Sequence, residues 1–342
     1  MATMVSREIQ LKSRPIGLPR EENFELVEVI LPPLQAGEVL VRNAFMSVDP
    51  YMRGRMYDRA SYVPPFQIGA PLDGGCVGQV VETAGQTDYE VGDYVSSRQG
   101  WREYYVSDGA GLTKVDPAWV PLQAYLGAVG MPGMTAYVGL LDIGKPKAGD
   151  TVFVSAAAGA VGSIVCQIAK IKGCRVVGSA GSEAKLQWLR EVAGVDAALN
   201  YKAVTSLVDE VGRHCPDGID VYFENVGGEH LEAALEHMKP FGRMALCGMI
   251  SQYNEAKAGP SNLSHAVRKR LTMQGFIVSD HAARLSAFHQ DMQTWIKAGQ
   301  MRWEETIVEG IENAPKAFIG LFTGDNMGKM LVRLHETSDH RL

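Results

Sequence analysis

The sequence predicts an α/β protein in which a doubly wound parallel sheet is inserted into a smaller, β-rich domain. A β-branched and aromatic run breaks into a small-residue turn and then a helical pattern over residues 151–172. Strand and helix patterns alternate from there to residue 298, which is the order of a parallel sheet covered by helices. The chain has 342 residues. One hydrophobic core seldom organises that length, so two domains are expected.

The first strand and helix enclose a dinucleotide-binding pattern. Residues 151–155 read as a buried strand, and 161–172 carry apolar residues at helical spacing. Between them lies Ala157-x-Gly159-x-x-Gly162, the Rossmann fingerprint with alanine in place of its first glycine. An ordinary βα turn of small residues would share this pattern. As a cofactor site, the turn would offer backbone amides and a helix N-terminus to a pyrophosphate. The residues expected to contact the cofactor here are Ala158, Gly159, Ala160, Val161 and Gly162.

The segments after this turn complete the sheet. Further strands are predicted at 175–180, 197–200, 219–224, 243–247 and 271–276. Helices are predicted at 183–193, 231–237 and 282–298.

The end of the second strand predicts the choice of cofactor. In NAD-preferring sites an Asp or Glu about 20 residues past the glycines binds the ribose hydroxyls. Here that place is Ala180, so no carboxylate repels a ribose 2′-phosphate. Lys185 and Tyr201 lie where a cation and a phenol could reach that phosphate. The site is therefore expected to prefer NADPH, while Lys185 taken alone would equally fit a solvated helix position.

The flanking segments predict the second domain. Short β patterns at 24–29, 38–45, 75–83 and 94–97, separated by prolines and glycines, indicate a small curved β domain. A strand at 305–309, a helix at 314–322 and a strand at 329–334 are expected to return to it. The predicted domains are 1–127 for the substrate, 128–305 for the cofactor, and 306–342 rejoining the first.

Composition excludes several classes of partner. The net charge is −6, and 268–270 is the one basic run, so neither nucleic acid nor an anionic membrane is expected as partner. No apolar stretch is long enough to span a bilayer and no signal-peptide core opens the chain, so a cytoplasmic location is expected. Five widely spaced cysteines, an odd number, indicate reduced thiols.

Six segments together carry a family resemblance. They are Met-Ser-Val-Asp-Pro-Tyr-Met-Arg at 46–53, Gly-Met-Pro-Gly-Met-Thr-Ala-Tyr at 130–137, 156–162, Tyr-Phe-Glu-Asn-Val-Gly-Gly at 222–228, 247–251 and 326–329. In this order they resemble the zinc-independent medium-chain dehydrogenases/reductases, in the branch of the prostaglandin, curcumin and alkenal double-bond reductases. The resemblance implies a GroES-like substrate domain, a Rossmann domain and NADPH. It also implies reduction of the carbon–carbon double bond of α,β-unsaturated ketones or aldehydes.

The residues themselves argue for metal-free chemistry. A catalytic zinc needs three protein ligands, usually including Cys and His. The stretch that resembles the zinc-ligating region of alcohol dehydrogenases, 69–74, contains no histidine, and Cys76 is the one cysteine before Cys166. We therefore expect no metal. A neutral hydrogen-bond donor would then stabilise the enolate that forms when hydride adds to the β-carbon.

Tyr253 is the best candidate for that donor. It lies just past the fifth predicted strand, where strand ends face the cofactor in this architecture. By resemblance it matches the tyrosine proposed to bind the substrate oxygen in double-bond reductases, so it is expected to be both catalytic and substrate-binding. A loop tyrosine that packs its ring is the alternative. Tyr51, in the 46–53 motif, resembles a second substrate-binding residue.

Other cofactor residues follow from the resemblance. They are Thr135, Asn225, Cys247, Phe276, Ile277, Val278 and Asn326. Each also fits an ordinary role in a helix, turn or strand end. A homodimer is expected from the resemblance and from the open edge of a six-stranded sheet.

The function expected from these features is NADPH-dependent reduction of an enone or alkenal, with hydride delivered to the β-carbon. Two alternatives stay open at this point. One is a quinone oxidoreductase, which would use the same fold and cofactor, and the other is a non-catalytic NADPH-binding scaffold.

Overall fold

A computed structural model of the chain describes residues 4–255 and 258–336. The chain forms two compact units. The first is drawn from Met1–Leu126, Glu305–Asn326 and Met330–Leu342, and the second from Gly127–Glu304 and Met327–Lys329. The second unit is thus inserted into the chain of the first. Among the described residues, no helix has the length and apolar character that crossing a bilayer requires.

Antiparallel pairing dominates the first unit. Its N-terminal part contains the short helix α1 (Met52–Arg55). Its strands are β1 (Val5–Leu11), β2 (Phe24–Ile30), β3 (Val39–Ser47), β4 (Cys76–Thr83), β5 (Tyr94–Ser97), β6 (Tyr104–Ser107) and β7 (Thr113–Lys114). Strands β1 and β2 form a separate ribbon, in which Val5 lies opposite Ile30. The sequence patterns had predicted β2 to β5. They missed β1, β6 and β7, which mix polar with apolar residues or are very short.

The second unit contains one parallel sheet. Its strands are β8 (Thr151–Val154), β9 (Arg175–Ala180), β10 (Ala197–Asn200), β11 (Ile219–Glu224), β12 (Met238–Leu246) and β13 (Thr272–Gly275). Their spatial order is β10-β9-β8-β11-β12-β13, so the winding direction reverses beside β8. This is the Rossmann order, in which ligands bind at the carboxyl ends of the strands. The predicted fold class is confirmed.

Seven helices are found among the described residues of the second unit. They are α2 (Met131–Val138), α3 (Gly162–Ile171), α4 (Glu183–Glu191), α5 (Leu207–His214), α6 (Glu229–His237), α7 (Ser264–Arg268) and α8 (Leu285–Lys297). A π-helical segment, Gly139–Gly144, continues α2. Helix α5 begins after Ser206, whose side chain accepts a hydrogen bond from the amide of Asp209 at 3.2 Å.

Several predicted boundaries were wrong. Strand β12 begins at Met238, five residues before the predicted start at 243, because Pro240 and Gly242 disguise its first half. The predicted helix 282–298 begins as the 3₁₀ segment Val278–Arg284 and becomes α-helical at Leu285. Ser155, Cys247 and Phe276 were predicted as strand residues but lie just past their strands.

The C-terminal segment completes the sheet of the first unit. Strand β14 (Glu305–Glu309), helix α9 (Ala314–Gly320) and strand β15 (Lys329–Arg333) follow one another. The sheet runs β14-β15-β3-β4-β5-β7, with β6 also paired to β3. In the core beneath it, the Phe24 and Trp101 rings are stacked with centroids 6.1 Å apart, and Phe318 from α9 packs edge-on against both.

Candidate functional site

The turn between β8 and α3 is shaped by two glycines with different surroundings. A Cβ atom added to Gly162 would lie 2.8 Å from Ala157 Cα and closer still to the Ala156 carbonyl oxygen. Helix α3 therefore begins directly against the end of β8. A Cβ atom on Gly159 would meet only the Ala156 oxygen, at 3.2 Å, so its outer side is open. Since the first amides of a helix have no intrahelical acceptor, this turn fits a pyrophosphate.

The residue of this turn that adopts a left-handed backbone conformation is not the one at which the sequence pattern lacks a glycine. The sequence pattern put alanine for glycine at Ala157, but the residue in the left-handed conformation is Ala156, with φ of +46°. The amide of Ala157 donates to the Ser179 carbonyl at 2.9 Å, which ties the turn to β9. The Gly328 amide donates to the Ala158 carbonyl at 2.9 Å, so the segment Met327–Lys329 braces the same turn. Asn326, a predicted cofactor residue, directly precedes that segment.

The end of β9 has no acidic side chain and is bordered by the two residues predicted there. A Cβ atom on Gly181 would lie 3.0 Å from the Tyr201 hydroxyl oxygen. The Tyr201 ring packs edge-on against His230, with centroids 5.0 Å apart. Lys185 is the third residue of α4. A cation in the first turn of a helix opposes the helix dipole, and a bound anion would offset that cost. The arrangement fits a ribose 2′-phosphate.

Asn225 is held by the turn that follows β8. Its side-chain Nδ2 donates to the Ser155 carbonyl at 2.7 Å, and its backbone amide donates to Ser155 Oγ at 2.8 Å. The side-chain oxygen of Asn225 is then the group suited to a ligand, and as an acceptor it fits a ribose hydroxyl better than a phosphate. Asn225 thus fills the ordinary structural role in a turn that the sequence also allowed. Its side-chain oxygen leaves its predicted role in cofactor binding open.

Glu224 organises this region, and the sequence patterns did not single it out. Its side chain is fully buried. Its Oε1 atom accepts hydrogen bonds from Tyr222 Oη at 2.8 Å, Ser155 Oγ at 3.0 Å, and the amides of Val226 and Gly227 at 2.7 and 2.9 Å. Burial raises the pKa of Glu224 despite these donors. Acidic residues are rarely buried unless they are paired, so a glutamate at the end of a buried strand was the signal available in the sequence.

A cavity of about 390 Å³ lies at the carboxyl ends of β12 and β13. It is lined by Leu246, Cys247, Gly248, Met249, Gly275, Phe276, Ile277 and Asp280. The structure thus brings together three predicted cofactor residues, Cys247, Phe276 and Ile277. Val278 is not among the lining residues, although Asp280 of the same 3₁₀ segment is. Met249 and Asp280 were not predicted.

The room for the Phe276 ring and the protonation state of Cys247 each have a structural cause. A Cβ atom on Gly139 would lie 2.7 Å from the Phe223 ring and would also collide with Phe276, so the π-helical segment leaves room for both rings. Burial, with a contribution from Glu224, raises the pKa of Cys247 to about 12. Cys247 is therefore a protonated thiol at neutral pH.

Tyr253 lies beside Gly248 and Met249, two residues that line the cavity. It follows the 3₁₀ segment Ile250–Gln252, and its hydroxyl oxygen accepts a hydrogen bond from the Met249 amide at 3.3 Å. A Cβ atom on Gly248 would lie 2.9 Å from that oxygen. A phenol hydroxyl can accept one hydrogen bond and donate another. The role of Tyr253 as donor to a substrate oxygen stays a prediction.

Thr135 and Tyr51 are not among the residues that line the cavity. Thr135 is buried in α2, and its hydroxyl donates to the Met131 carbonyl at 2.8 Å. Tyr51 precedes α1 in the first unit. Burial, assisted by Asp49, raises the pKa of Tyr51, so its phenol stays protonated and can donate a hydrogen bond. The cofactor role of Thr135 and the substrate role of Tyr51 stay predictions.

Asp73, in the stretch that resembles the zinc-ligating region of alcohol dehydrogenases, is bound by two arginines. Across residues 4–255 and 258–336, no three His, Cys, Asp or Glu side chains group as a metal site would require. Asp73, within the 69–74 stretch, accepts hydrogen bonds from Arg55 Nη2 at 2.7 Å and Arg98 Nη2 at 3.2 Å. Burial acts to raise the pKa of Asp73, but the two guanidinium groups outweigh it and lower that pKa.

Two family descriptions and several known reductases match this chain. Residues 7–115 match the family described as the N-terminal domain of oxidoreductase, and 160–297 match the family described as zinc-binding dehydrogenase. The chain is 44% identical over 336 residues to the NADPH-dependent curcumin reductase of Escherichia coli (strain K12), covering 95% of each chain. It is 44% identical over 339 residues to the NADP⁺-dependent 2-alkenal reductase of Nicotiana tabacum, covering 97% of this chain and 98% of the relative.

A solved structure shows the same likeness. The crystal structure of CurA from Vibrio vulnificus in complex with NADPH superposes with a TM-score of 0.90 at 44% identity, covering 97% of this chain and 100% of that one. The chain belongs to the medium-chain dehydrogenase/reductase family, in the zinc-independent branch that contains the curcumin and alkenal reductases.

Proposed function

We propose that the protein reduces the carbon–carbon double bond of α,β-unsaturated ketones or aldehydes with NADPH, by hydride transfer to the β-carbon. The observation that carries this proposal is the hydrogen bond of the Tyr253 hydroxyl with Met249, a residue that lines the cavity beside β12 and β13. In a Rossmann unit the nicotinamide end of a cofactor lies on this side of the reversal point, and the adenosine end lies on the other. The names of the two reductase relatives support the substrate class.

The residues that would hold the cofactor follow the strand order. The turn at Ala158–Gly162 would bind the pyrophosphate, Tyr201 and Lys185 the 2′-phosphate, and Asn225 a ribose hydroxyl. Cys247, Phe276 and Ile277 would line the nicotinamide end. When bound, NADPH supplies the hydride.

Tyr253 would stabilise the charge that develops during the reaction. Hydride addition to the β-carbon of an enone moves negative charge onto the carbonyl oxygen, giving an enolate. A phenol that donates a hydrogen bond to this oxygen stabilises it without having to transfer its proton. The Met249 amide holds the phenol oxygen and polarises the hydroxyl. The α-carbon then takes a proton from solvent or a relay.

The state of Cys247 is compatible with such substrates. A thiolate adds readily to the β-carbon of an enone, which would inactivate the site. Because the pKa of Cys247 is raised to about 12, the group stays a thiol at neutral pH and is a weak nucleophile.

Turnover assays with matched substrates test the function. Purified protein is mixed with NADPH and a simple enone, a 2-alkenal, the corresponding saturated ketone or a quinone, and NADPH absorbance is followed. We expect oxidation with the enone and the alkenal and none with the saturated ketone. NADPH deuterated at the transferred C4 position should place deuterium on the β-carbon of the product. An allylic alcohol as product, or turnover of the quinone alone, would contradict the proposal.

A homodimer is a further part of the proposal. Within the described residues, β13 pairs with β12 on one side only, and an open strand edge favours pairing with another chain. Nearby exposed apolar side chains, Phe241, Leu263 and the 80% exposed Val267, add surface that a partner could bury. Light scattering at micromolar concentration should give twice the chain mass, and a monomer mass would count against it.

We propose a cytoplasmic location on separate grounds. All five cysteines are free thiols. Free thiols persist in reducing compartments.

A further inference from the structure

The turn after β10 is fixed at both of its ends. Asn200 Oδ1 accepts a hydrogen bond from the Lys202 amide at 3.1 Å, and the Asn200 carbonyl accepts one from the Ala203 amide at 3.1 Å. The Tyr201 amide donates to the carbonyl of Ala180, the last residue of β9, at 3.2 Å. The positions of the Tyr201 and Lys202 side chains are thereby tied to the end of β9.

Both side chains converge on Gly181. A Cβ atom added there would lie 3.0 Å from the Tyr201 hydroxyl oxygen and 3.1 Å from Lys202 Cε. Lys202 Nζ lies 6.0 Å from the centroid of the Tyr201 ring, within reach of a cation–π interaction. The Lys202 side chain is exposed to solvent. The lysine side chain and the phenol hydroxyl therefore both lie beside the residue that follows the second strand of the sheet.

This is the place where a dinucleotide site distinguishes a ribose hydroxyl from a 2′-phosphate. Ala180 and Gly181 offer no carboxylate there. Lys185 lies in the first turn of α4, whereas Lys202 lies in the turn after β10. A phosphate monoester carries nearly two negative charges at neutral pH, so two cations match it better than one.

We propose that Lys202 is a specificity-determining residue that binds the 2′-phosphate of NADPH together with Tyr201 and Lys185. The proposal rests on the proposed function because it assumes that NADPH occupies the second unit. It goes beyond it in assigning a second cation to the phosphate. Lys202 contributes nothing to NADH binding, since NADH has a hydroxyl at that position.

Binding measurements test this without any turnover. Calorimetric titrations with NADPH and NADH, at low and high salt, would compare the wild type with Lys202→Ala and Lys202→Arg. The control is Lys147→Ala. Lys147 is also exposed, but it lies just before β8, on the side of the amino ends of the parallel strands, so its loss changes the net charge equally without touching the site.

Lys202→Ala should weaken NADPH binding roughly tenfold, the loss expected for one charge-assisted contact. NADH binding should stay unchanged. Lys202→Arg should retain most of the NADPH affinity, and Lys147→Ala all of it. The NADPH-specific loss should shrink at high salt because exposed charges are screened.

Two results would overturn the assignment: unchanged NADPH affinity in Lys202→Ala, or an equal loss for NADPH and NADH. Failure of the proposed function looks different. A wild-type protein that binds NADPH but reduces no enone would contradict the proposed function and leave these affinities interpretable.

Discussion

Replacing Gly162 by alanine is expected to damage both the fold and the cofactor site. The added Cβ atom would lie 2.8 Å from Ala157 Cα, whereas ordinary contact begins at 3.4 Å. The start of α3 and the end of β8 must therefore separate by at least about 0.6 Å. The atoms in the way belong to the backbone of a close-packed interior and cannot shift without straining their neighbours. Overpacking of this kind costs about 1–3 kcal/mol of unfolding free energy.

The same displacement moves the opening amides of α3. A hydrogen bond to a charged group contributes about 1.5–3 kcal/mol, so misplacing one such amide should weaken NADPH binding roughly 10- to 100-fold. Urea unfolding without cofactor measures the first effect, and calorimetric titration with NADPH measures the second.

Two neighbouring substitutions serve as controls. Gly159→Ala meets only one atom, at 3.2 Å, so it should leave stability near that of the wild type while still weakening NADPH binding. Ala156→Gly relieves a left-handed alanine with φ of +46° and should keep stability and binding. Wild-type stability and affinity in Gly162→Ala would refute the close-packing argument. Unchanged NADPH affinity in Gly159→Ala would show that no pyrophosphate approaches there.

Three further outcomes are expected. Lys185→Ala should weaken NADPH binding roughly 10- to 100-fold and leave NADH binding unchanged, and equal losses by titration would remove Lys185 from the phosphate site. Tyr253→Phe should slow enone reduction, by up to ~2.7–4 kcal/mol in activation free energy, with NADPH affinity unchanged. Unaltered kinetics on every enone tested would make Tyr253 a packing residue. Burial lowers the pKa of His230 to about 4, below its value of about 6.5 in an unfolded chain. The unfolded chain then binds more protons between these values, so stability is lost as the pH falls through this window, by up to about 3 kcal/mol. Urea unfolding at several pH values should show a flatter profile for His230→Gln, and parallel profiles would contradict the assignment.

Sequence patterns predicted the strands of the parallel sheet well where the apolar runs are uninterrupted, as at 175–180 and 219–224. They failed at the first half of β12, where Pro240 and Gly242 interrupt the pattern and the pairing with β11 shifts register between Met238 and Arg243. They also failed at β1, whose polar residues are accommodated by pairing with β2. In each case tertiary pairing overrides local propensity.

In the candidate site, too, some residues could be interpreted from the sequence and others could not. Gly162 and Ala180 could be interpreted from the sequence, because each acts on a turn or a strand end that its immediate neighbours define. The left-handed Ala156 could not, because alanine carries no local preference for that conformation.

What the sequence by itself determined is the strand–turn–helix for the nucleotide, the missing acid that favours NADPH, and the family to which the chain belongs. Only the tertiary structure decided that Lys202 joins Tyr201 at Gly181, and that Glu224 binds Ser155 from 69 residues away. The physical reason is the order of the parallel strands. It brings together carboxyl ends that are distant along the chain, and no periodicity within one segment records which other segment will lie beside it.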